Sequence, residues 1–297
     1  MEKNPKVSII VLNWNGKEDT IDCLKSLKNI TYPNYEVIVI DNASTDGSVE
    51  EFQELVDIKL IVNKENLGYS KGNNVGIQYA INNKADYVLI LNNDTVVDPH
   101  FLSELVKIAN SNEKIGILGP KTYYAEPDNM IYYAGAKINW YTGQPKHIGQ
   151  KKIDDEQFNQ IKNVDFVAGS CMLIKREVIE KIGMLPTDYF LLWEDIDYSV
   201  KANRNGFELV YVPSSKIWHK ESVSIKKIKT YRIYYSARNR LIFHKKYATK
   251  LEYFSSTIYF ILYQLPLSCL FMFIRNKNLN VISYSLKGLF QGIFYKY

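Results

Sequence analysis

Cysteine is scarce in this chain of 297 residues, which has only Cys23, Cys171 and Cys269. So few cysteines at such wide spacing exclude a disulfide framework and argue against a zinc site. A reducing compartment fits this composition, and we expect a cytoplasmic protein. The residues before the first apolar run, Met1 to Lys6, do not form the pattern of a signal peptide.

Acidic residues are nearly missing from one segment. Between Lys216 and Lys250 there are eleven lysines or arginines and a single acid, Glu221. Such a segment can face anionic lipid, a diphosphate or nucleic acid, or it can be a solvated basic face. Because no nucleic-acid reading motif accompanies it, we expect no nucleic-acid partner.

Charge is absent altogether from Tyr253 to Ile274. The stretch is long enough to span a bilayer, but it contains serine, threonine, glutamine and proline and is rich in tyrosine and phenylalanine. We predict a hairpin or helix that lies in the membrane interface, flanked by cationic anchors, and gives peripheral membrane contact. A spanning helix and a buried core helix are the alternatives.

Apolar runs rich in β-forming residues alternate with helical patterns along the first 120 residues. This alternation predicts the α/β class, with a mostly parallel, doubly wound central sheet flanked by helices. We predict strands over 7–12, 35–40, 59–62, 87–91 and 115–119, and helices over 18–27, 48–55, 70–82 and 99–110.

Three regions follow from these patterns. Residues 1–120 are the predicted nucleotide-binding half of a domain, and 226–297 are a basic and apolar helical tail. Residues 121–225 are less regular and are the predicted acceptor-binding half of the same domain. There we predict strand character over 164–174, broken at Gly169–Ser170, a strand over 208–212, and helices over 176–182 and 194–205.

The most informative stretch runs from Asp86 to Thr95. Its apolar run stops abruptly at Asn92, Asn93 and Asp94, which would place their side chains at the carboxyl edge of a parallel sheet, where such folds bind ligands. A carboxylate among amides suits a divalent cation that holds a diphosphate. A strand that ends in an Asx turn explains the same residues, and this stretch alone does not decide between the two.

A strand also leads into a helix near residue 68. Glycine permits close backbone approach, and a helix N-terminus attracts anions. A phosphate or ribose contact and a plain helix start are both consistent with the residues found there: Gly68, Lys71, Asn73 and Asn74.

Six segments, taken together, resemble family 2 glycosyltransferases with the GT-A fold, and most of all their rhamnosyltransferase-like branch. They are spread in family order over roughly the first three-quarters of the chain. The segments are Val7–Asn15, Val39–Gly47, Asn66–Asn74, Leu91–Thr95, Trp193–Asp197 and Ile217–Ser222.

The resemblance implies a set of nucleotide-sugar and metal ligands. In the family's DXD slot stand Asn92, Asn93 and Asp94; Asp94 would be the main ligand of Mg²⁺ or Mn²⁺, Asn92 would contact the ribose, and His219 would be a further metal ligand. Residues at the ends of the first two strands would hold the base and ribose: Leu12, Asn13, Asn15, Asp41 and Asn42. Turn formation and helix capping could also explain Asp41 and Asn42, but Ser44 and Asp46 already supply capping chemistry.

The resemblance also implies the catalytic base. Asp195 would take the proton of the acceptor hydroxyl, and Trp193, Glu194 and Asp197 would contact the acceptor. A favourable interaction of acids with the helix dipole explains some of these carboxylates equally well. Cationic residues could close over the leaving diphosphate: Lys220, Lys226, Lys227 and Arg232. For Arg238–Arg240 a lipid headgroup is an equal candidate.

The resulting expectation is an inverting glycosyltransferase that uses a nucleotide-diphosphate sugar, with dTDP-L-rhamnose as the first candidate. Its acceptor would be a lipid-linked or surface glycan at the inner face of the cell membrane. A sugar-nucleotide-binding protein without transfer activity is the alternative, since Asn92 stands where the family has an aspartate. A nucleotidyltransferase would need a Gly-rich phosphate loop after the first strand, where Asn13–Gly16 stand instead.

Overall fold

The computed structural model describes residues 4–220, 229–268, 270 and 280–296. The chain divides into two compact units. The first lies within Met1–Lys137, His147–Thr187 and Glu194–Ser224. The second takes two short segments from the middle of the chain and the C-terminal region, and lies within Ile138–Lys146, Asp188–Trp193 and Ile225–Tyr297.

A large sheet forms the centre of the first unit. Its strands are β1 (Val7–Asn13), β2 (Tyr35–Asp41), β3 (Lys59–Val62), β4 (Tyr87–Asn92), β5 (Thr95–Val97), β6 (Ile115–Tyr124), β7 (Ile131–Tyr133), β10 (Lys162–Asn163), β11 (Cys171–Lys175) and β12 (Glu208–His219). They lie in the order β10-β12-β6-β11-β4-β1-β2-β3, with β5 paired to β12 and β7 paired to β6. A separate two-stranded sheet joins β8 (Ala136–Asn139) and β9 (Gln144–His147).

The strands nearest the centre are parallel and buried on both faces. β1 pairs in parallel with β2 and with β4, and almost every side chain of β1 and β4 is buried. Strands covered on both faces read as continuous apolar runs, which is why Val7–Leu12 and Tyr87–Leu91 stand out in the sequence. The predicted α/β class with a mostly parallel sheet is confirmed.

Helices cover this sheet. They are α1 (Lys17–Leu27), α2 (Ser48–Gln53), α3 (Gly68–Asn82), α4 (Phe101–Ser111), α5 (Arg176–Ile182) and α6 (Glu194–Arg204). α3 lies close to β1 because it has glycine at the contact: a Cβ on Gly76 would stand 2.7 Å from a methyl group of Ile10. Any side chain at that position would push the helix away from the sheet.

One predicted strand is wrong in part. Within 164–174 only the residues after the predicted break at Gly169–Ser170 form a strand, β11, which runs antiparallel between β4 and β6. The backbone N–H groups of Val167 and Gly169 donate to the side chains of Ser199 and Asp195 on α6. Because α6 side chains take these donors, the segment before β11 does not join the sheet.

The described part of the second unit is mainly helical in the C-terminal region of the chain. It contains α7 (Lys229–Tyr247), α8 (Lys250–Tyr259), a π-helical segment (Phe260–Gln264) and α9 (Asn280–Ile293). α9 packs tightly on α7, since a Cβ on Gly288 would lie 2.4 Å from the Tyr234 carbonyl oxygen. The uncharged stretch is helical through 268, and its residues 269 and 271–274 lie outside the described residues. Within the described part of the chain, no helix has the length and apolar character needed to cross a membrane.

Candidate active site

The predicted nucleotide-binding residues lie at the carboxyl ends of three neighbouring strands. The register pairs Asn13 at the end of β1 with Asp41 at the end of β2, and Leu12 with Asn92 at the end of β4. The chain order reverses at β1, which has β2 on one side and β4 on the other. Open α/β sheets bind ligands at such a switch point, so the topology supports the expected location.

Asp41 and Asn13 are buried and hydrogen-bonded to each other. The Asn13 amide donates to Asp41 Oδ2 at 2.7 Å, and Asp41 Oδ1 accepts from the Ser44 N–H at 2.8 Å. Ser44 Oγ in turn accepts from the Asn15 N–H at 2.9 Å. Asn15 has a left-handed backbone, with φ of 50°, and its side-chain oxygen accepts from the Thr45 N–H at 2.7 Å. This network fixes the loops that follow β1 and β2.

Asn42 connects the end of β2 to the start of α3. Its amide donates to the Gly68 carbonyl at 3.1 Å, and its oxygen accepts from the Asn63 amide at 2.8 Å. Gly68 begins α3 with φ of 77°, which favours glycine. A Cβ on Gly72 would lie 2.8 Å from the Asn42 amide nitrogen, so this close approach requires glycine as well.

The predicted residues of the first turns of α3 differ in surroundings. Lys71 is exposed. Asn73 is buried, donates to the Tyr69 carbonyl at 3.0 Å and leaves its side-chain oxygen without a hydrogen bond. Asn74 exchanges two hydrogen bonds with the backbone of Leu185, at 2.9 and 3.0 Å, and so braces α3 against the loop between α5 and α6.

Asn92 and Asn93 differ in their surroundings. Asn92 is half-buried at the end of β4. The Asn93 amide donates to Thr20 Oγ1 at 2.9 Å and to Asn13 Oδ1 at 3.2 Å, and thereby ties the end of β4 to α1. The side-chain nitrogen of Asn93 therefore has a structural role, because it donates to groups of the protein itself.

Asp94 and His219 meet although 125 positions separate them in the sequence. β5 begins one residue after Asp94 and pairs antiparallel with the end of β12, with Thr95 opposite His219. The Lys220 N–H also donates to the Asp94 carbonyl at 2.9 Å. As a result, His219 Nε2 lies 3.0 Å from Asp94 Oδ1, and both side chains are buried. The ring of Tyr132 packs edge-on against the His219 imidazole, with centroids 4.9 Å apart.

The Asp94–His219 pair fits a divalent cation. Although the two side chains are close, neither ring nitrogen of His219 makes a hydrogen bond of normal geometry. Neighbouring ligands of an octahedral ion with ligand distances of about 2.1 Å stand about 3 Å apart, which matches this spacing. Among the residues described, no group of three or more His, Cys, Asp or Glu side chains is placed to hold a metal. Mg²⁺-class ions are commonly held by one or two protein groups together with substrate phosphates.

Asp195 is held by backbone donors in the first turn of α6. Its Oδ2 accepts from the Gly169 N–H at 2.9 Å, and its Oδ1 accepts from the Ile196 N–H at 2.9 Å. The Tyr69 hydroxyl donates to the Gly169 carbonyl at 2.6 Å and so fixes the residue that holds Asp195. A carboxylate has about four acceptor sites, so Asp195 keeps capacity to accept a proton.

Glu194 and Asp195 are neighbouring carboxyl groups at the start of α6, of which Glu194 is buried and Asp195 half-buried. Burial raises the pKa of Asp195, although the N–H groups of Gly169 and Ile196 oppose this shift. Burial and the neighbouring Asp195 charge raise the pKa of Glu194 well above its ordinary value, and Glu194 Oε2 has no hydrogen-bond partner. These shifts favour a proton on Glu194 and the negative charge on Asp195.

The other predicted acceptor and phosphate residues are mostly buried or paired. Asp197 is fully buried on α6, and Trp193 packs on Phe243 with ring centroids 5.3 Å apart. Lys220 is paired with Asp22 at 2.8 Å and Asp19 at 3.4 Å. Arg232 is exposed, and Lys226 and Lys227 lie outside the described residues.

The prediction that Arg238–Arg240 meets a diphosphate or lipid headgroup is wrong for its last two residues. Arg240 is buried and donates to the Thr142 carbonyl and to the Gln264 side chain. Asn239 is also buried and donates to backbone carbonyls. Both side chains therefore stabilise the second unit.

Sequence reasoning missed Tyr69 as a supporting residue. Apart from its position beside Gly68, nothing in the sequence links this tyrosine to Asp195, because the contact through Gly169 spans 100 positions. Burial raises the pKa of Tyr69 well above its usual value, and the nearby Glu194 and Asp195 add to the shift. It therefore remains a neutral donor at physiological pH.

The fold is that of the GT-A glycosyltransferases. A solved mannosyltransferase from Pyrobaculum calidifontis, PcManGT, in complex with GDP-Man and Mn²⁺, shares the fold over 99% of this chain and 88% of its own, with a TM-score of 0.63 and 16% identity. A family model described as "Glycosyltransferase like family 2" matches residues 5–240. The chain belongs to this family, as the sequence motifs predicted.

The relatives found by sequence comparison include hexosyltransferases and rhamnosyltransferases. The low-salt glycan biosynthesis hexosyltransferase Agl10 of Haloferax volcanii is 26% identical over 80% of this chain and 74% of its own length. The N-acetylglucosaminyl-diphospho-decaprenol L-rhamnosyltransferase of Mycobacterium tuberculosis is 25% identical over 68% of this chain and 71% of its own length. Two other relatives are longer proteins, matched over 25% and 18% of their length. Together the family and these relatives support glycosyltransferase activity.

Proposed function

We propose that the protein is an inverting, metal-dependent glycosyltransferase that moves a sugar from a nucleotide-diphosphate donor to a hydroxyl of a lipid-linked or surface glycan. L-rhamnose is the first candidate sugar, because rhamnosyltransferases are among the relatives. The observation that carries the proposal is Asp195, a half-buried carboxylate held by two backbone N–H groups in the same unit as the Asp94–His219 pair.

The edge residues have a binding role in this proposal. The loops held by Asp41, Asn13 and Asn42 would receive the base and ribose, with Leu12, Asn15 and Asn92 at their surface. The N-terminus of α3 would favour the negative charge of the donor. Asp94 and His219 would hold Mg²⁺ or Mn²⁺, which stabilises the charge of the departing diphosphate.

Asp195 has the chemical role. An acceptor hydroxyl that attacks the anomeric carbon loses its proton, and Asp195 takes it. The N–H groups of Gly169 and Ile196 orient the carboxylate before the reaction, so little reorganisation accompanies the transfer. Trp193, Glu194 and Asp197 would shape the acceptor side, with Glu194 contributing a neutral carboxyl group.

Nucleotide binding is the first test of this function. We expect one of UDP, dTDP and GDP to bind tightly in calorimetry, with dTDP the first candidate. We expect the affinity to rise with Mn²⁺, because a cation held by Asp94 and His219 would attract the negatively charged diphosphate. The three nucleotides are matched probes, since they differ only in base and sugar. If none binds with or without Mn²⁺, the proposed function is wrong.

A non-catalytic sugar-nucleotide-binding protein is the second candidate. The observation that favours it is Asn92, an amide where the family motif has a carboxylate. It predicts donor binding without transfer to any of a panel of lipid-linked acceptors. Transfer to a single acceptor in the presence of Mn²⁺ would exclude it.

We further propose that the second unit contacts the inner face of the cell membrane. α8 and α9 each expose an apolar stripe at helical spacing. The residues are Leu251, Phe254 and Ile258 on α8, and Ile282, Leu286 and Phe290 on α9, followed by Phe294 directly after α9. Residues 250–297 contain five lysines or arginines and one acid, Glu252. Exposed apolar stripes with a positive charge excess suit a surface of anionic lipid.

Vesicle binding tests the membrane contact. We expect the protein to sediment with vesicles that contain phosphatidylglycerol, and less with pure phosphatidylcholine or at high salt. Phe254→Ser with Phe290→Ser should weaken binding by at least about tenfold, because each removes apolar surface that would enter the interface. Val56→Ser is the matched control, since Val56 is 93% exposed but lies in the first unit. Equal binding by the double variant, or concentration-dependent dimers that the same changes abolish, would contradict the proposal.

A further inference from the structure

The segment that leads into Glu194 and Asp195 has an unfavourable backbone. Leu192 and Trp193 both adopt left-handed conformations, with φ of 70° and 79°. Side chains other than glycine disfavour this region, and two consecutive cases need outside support. The segment Asp188–Trp193 belongs to the second unit, and the chain continues directly into α6 at Glu194.

Asn239 on α7 supplies this support. Its amide nitrogen donates to the carbonyl of Leu191 and to that of Leu192, both at 2.9 Å, so its two hydrogens are used on consecutive peptide groups. Its side-chain oxygen accepts from Arg238 Nη1 at 2.7 Å, and the same guanidinium donates to the Asp188 carbonyl at 3.1 Å. Asn239 is fully buried, so water does not compete for these bonds.

The other end of the segment is held through Asp188. Its carboxylate accepts from the Tyr295 hydroxyl at 2.7 Å and pairs with Lys246 at 3.2 Å. Burial alone would raise the pKa of Asp188, but the bonds from Tyr295 and Lys246 outweigh it and keep the pKa below its ordinary value. At neutral pH this contact is therefore a charged one.

We propose that Asn239 is a positioning residue for transfer: it holds the left-handed Leu192–Trp193 backbone and thereby sets where Glu194 and Asp195 enter α6. The inference rests on the proposed function, in which Asp195 is the base. A misplacement of about 1 Å at such a group can cost on the order of 100-fold in rate. Loss of the Asn239 hydrogen bonds should therefore lower the transfer rate strongly. Tyr295 and Lys246 support the same segment from its other end.

Asn239→Asp tests the role. The variant keeps the shape of the side chain but loses both donors and sets an acceptor against two carbonyls. We expect kcat to fall roughly 10- to 100-fold, while the dissociation constant of the nucleotide stays unchanged because its predicted ligands lie in the first unit. The acid limb of the rate profile should move to lower pH, because a released Asp195 is better solvated.

A second change in the same segment separates positioning from general stability. Leu192→Gly should recover part of the lost kcat in the Asn239→Asp background, because glycine adopts the left-handed conformation without support. Tyr234→Phe is the matched control on α7: its hydroxyl contacts Gln291 and not the segment, so kcat should be unchanged.

The outcomes separate the two proposals. Full kcat in Asn239→Asp, with Asp195→Asn inactive, overturns this inference and leaves the proposed function standing. An equal loss in Tyr234→Phe, or no recovery by Leu192→Gly, also overturns it. If Asn239→Asp does not fold, Tyr295→Phe decides: a lower kcat with a shifted acid limb supports the inference, and an unchanged profile overturns it.

Discussion

Asp195→Asn is expected to lower kcat by roughly 100- to 10,000-fold, the range that a positioned general base contributes. The amide keeps the size of the side chain and can still accept a hydrogen bond, but it cannot take a proton. Nucleotide binding should be retained, because the edge of the sheet proposed to hold the donor is unchanged. Steady-state transfer assays and nucleotide calorimetry on the same preparation measure the two quantities.

The same base predicts a pH dependence. Burial raises the pKa of Asp195, and Asp195 must be deprotonated to act. The rate should therefore be full above this raised pKa and fall as pH decreases through it, at a higher pH than an ordinary aspartate would give. Asp57→Asn is the matched control, since Asp57 is an exposed carboxylate that pairs with Lys28. An active Asp195→Asn enzyme with an unchanged acid limb would remove Asp195 from the mechanism.

The second prediction with a large expected effect is the loss of Mn²⁺ binding in variants of Asp94 and His219. Asp94→Asn and His219→Ala should each weaken Mn²⁺ binding in the presence of nucleotide, by about tenfold or more. The reason is that each variant removes one of the two protein groups that stand 3.0 Å apart at the end of β4. Direct titration of Mn²⁺, followed by its paramagnetic signal, gives a readout that does not depend on activity.

The control for this experiment is His100→Gln. His100 is an exposed imidazole at the start of α4 that contacts the Thr31 hydroxyl, and its replacement should leave Mn²⁺ binding unchanged. If both site variants bind Mn²⁺ with the affinity of the unaltered protein, Asp94 and His219 are a structural pair. The glycosyltransferase proposal would then need another metal site or none.

Local patterns predicted most elements well. The predicted strand at 59–62 and the predicted helix at 176–182 match β3 and α5, and the ends of β1, β2 and β4 differ by one residue. These elements have strong periodicity or continuous apolar runs. Such patterns reflect which side chains of the element are buried, and so they can be recognised in the local sequence. The cap assigned to α2 was less accurate: Gly47 stands at the N-cap, and Ser44 instead holds Asn15.

The direction of β11 could not be predicted from local sequence patterns. Its apolar sequence predicts a strand but not a direction, because an apolar run suits either pairing once both faces are covered. The place of β11 between β4 and β6 depends on contacts with residues about 55 to 90 positions earlier in the chain. Sequence patterns of ten or fifteen residues contain no information on such pairing.

The sequence by itself determined the class of the protein. Alternating apolar runs and helical patterns define the α/β sheet, and the motifs from Val7–Asn15 to Ile217–Ser222 identify the family, which the family model confirms over residues 5–240. Both follow from local chemistry: side-chain burial along one element, and short groups of polar residues where an element ends.

Only the tertiary structure decided which polar groups act together. The pairing of β5 with β12 brings His219 to Asp94, the Gly169 backbone holds Asp195, and Asn239 holds the backbone that precedes it. Each contact joins residues between 26 and 125 positions apart, and each is a hydrogen bond or close approach set by the packing of whole elements. Folding alone creates that proximity, because the unfolded chain does not hold these groups near each other.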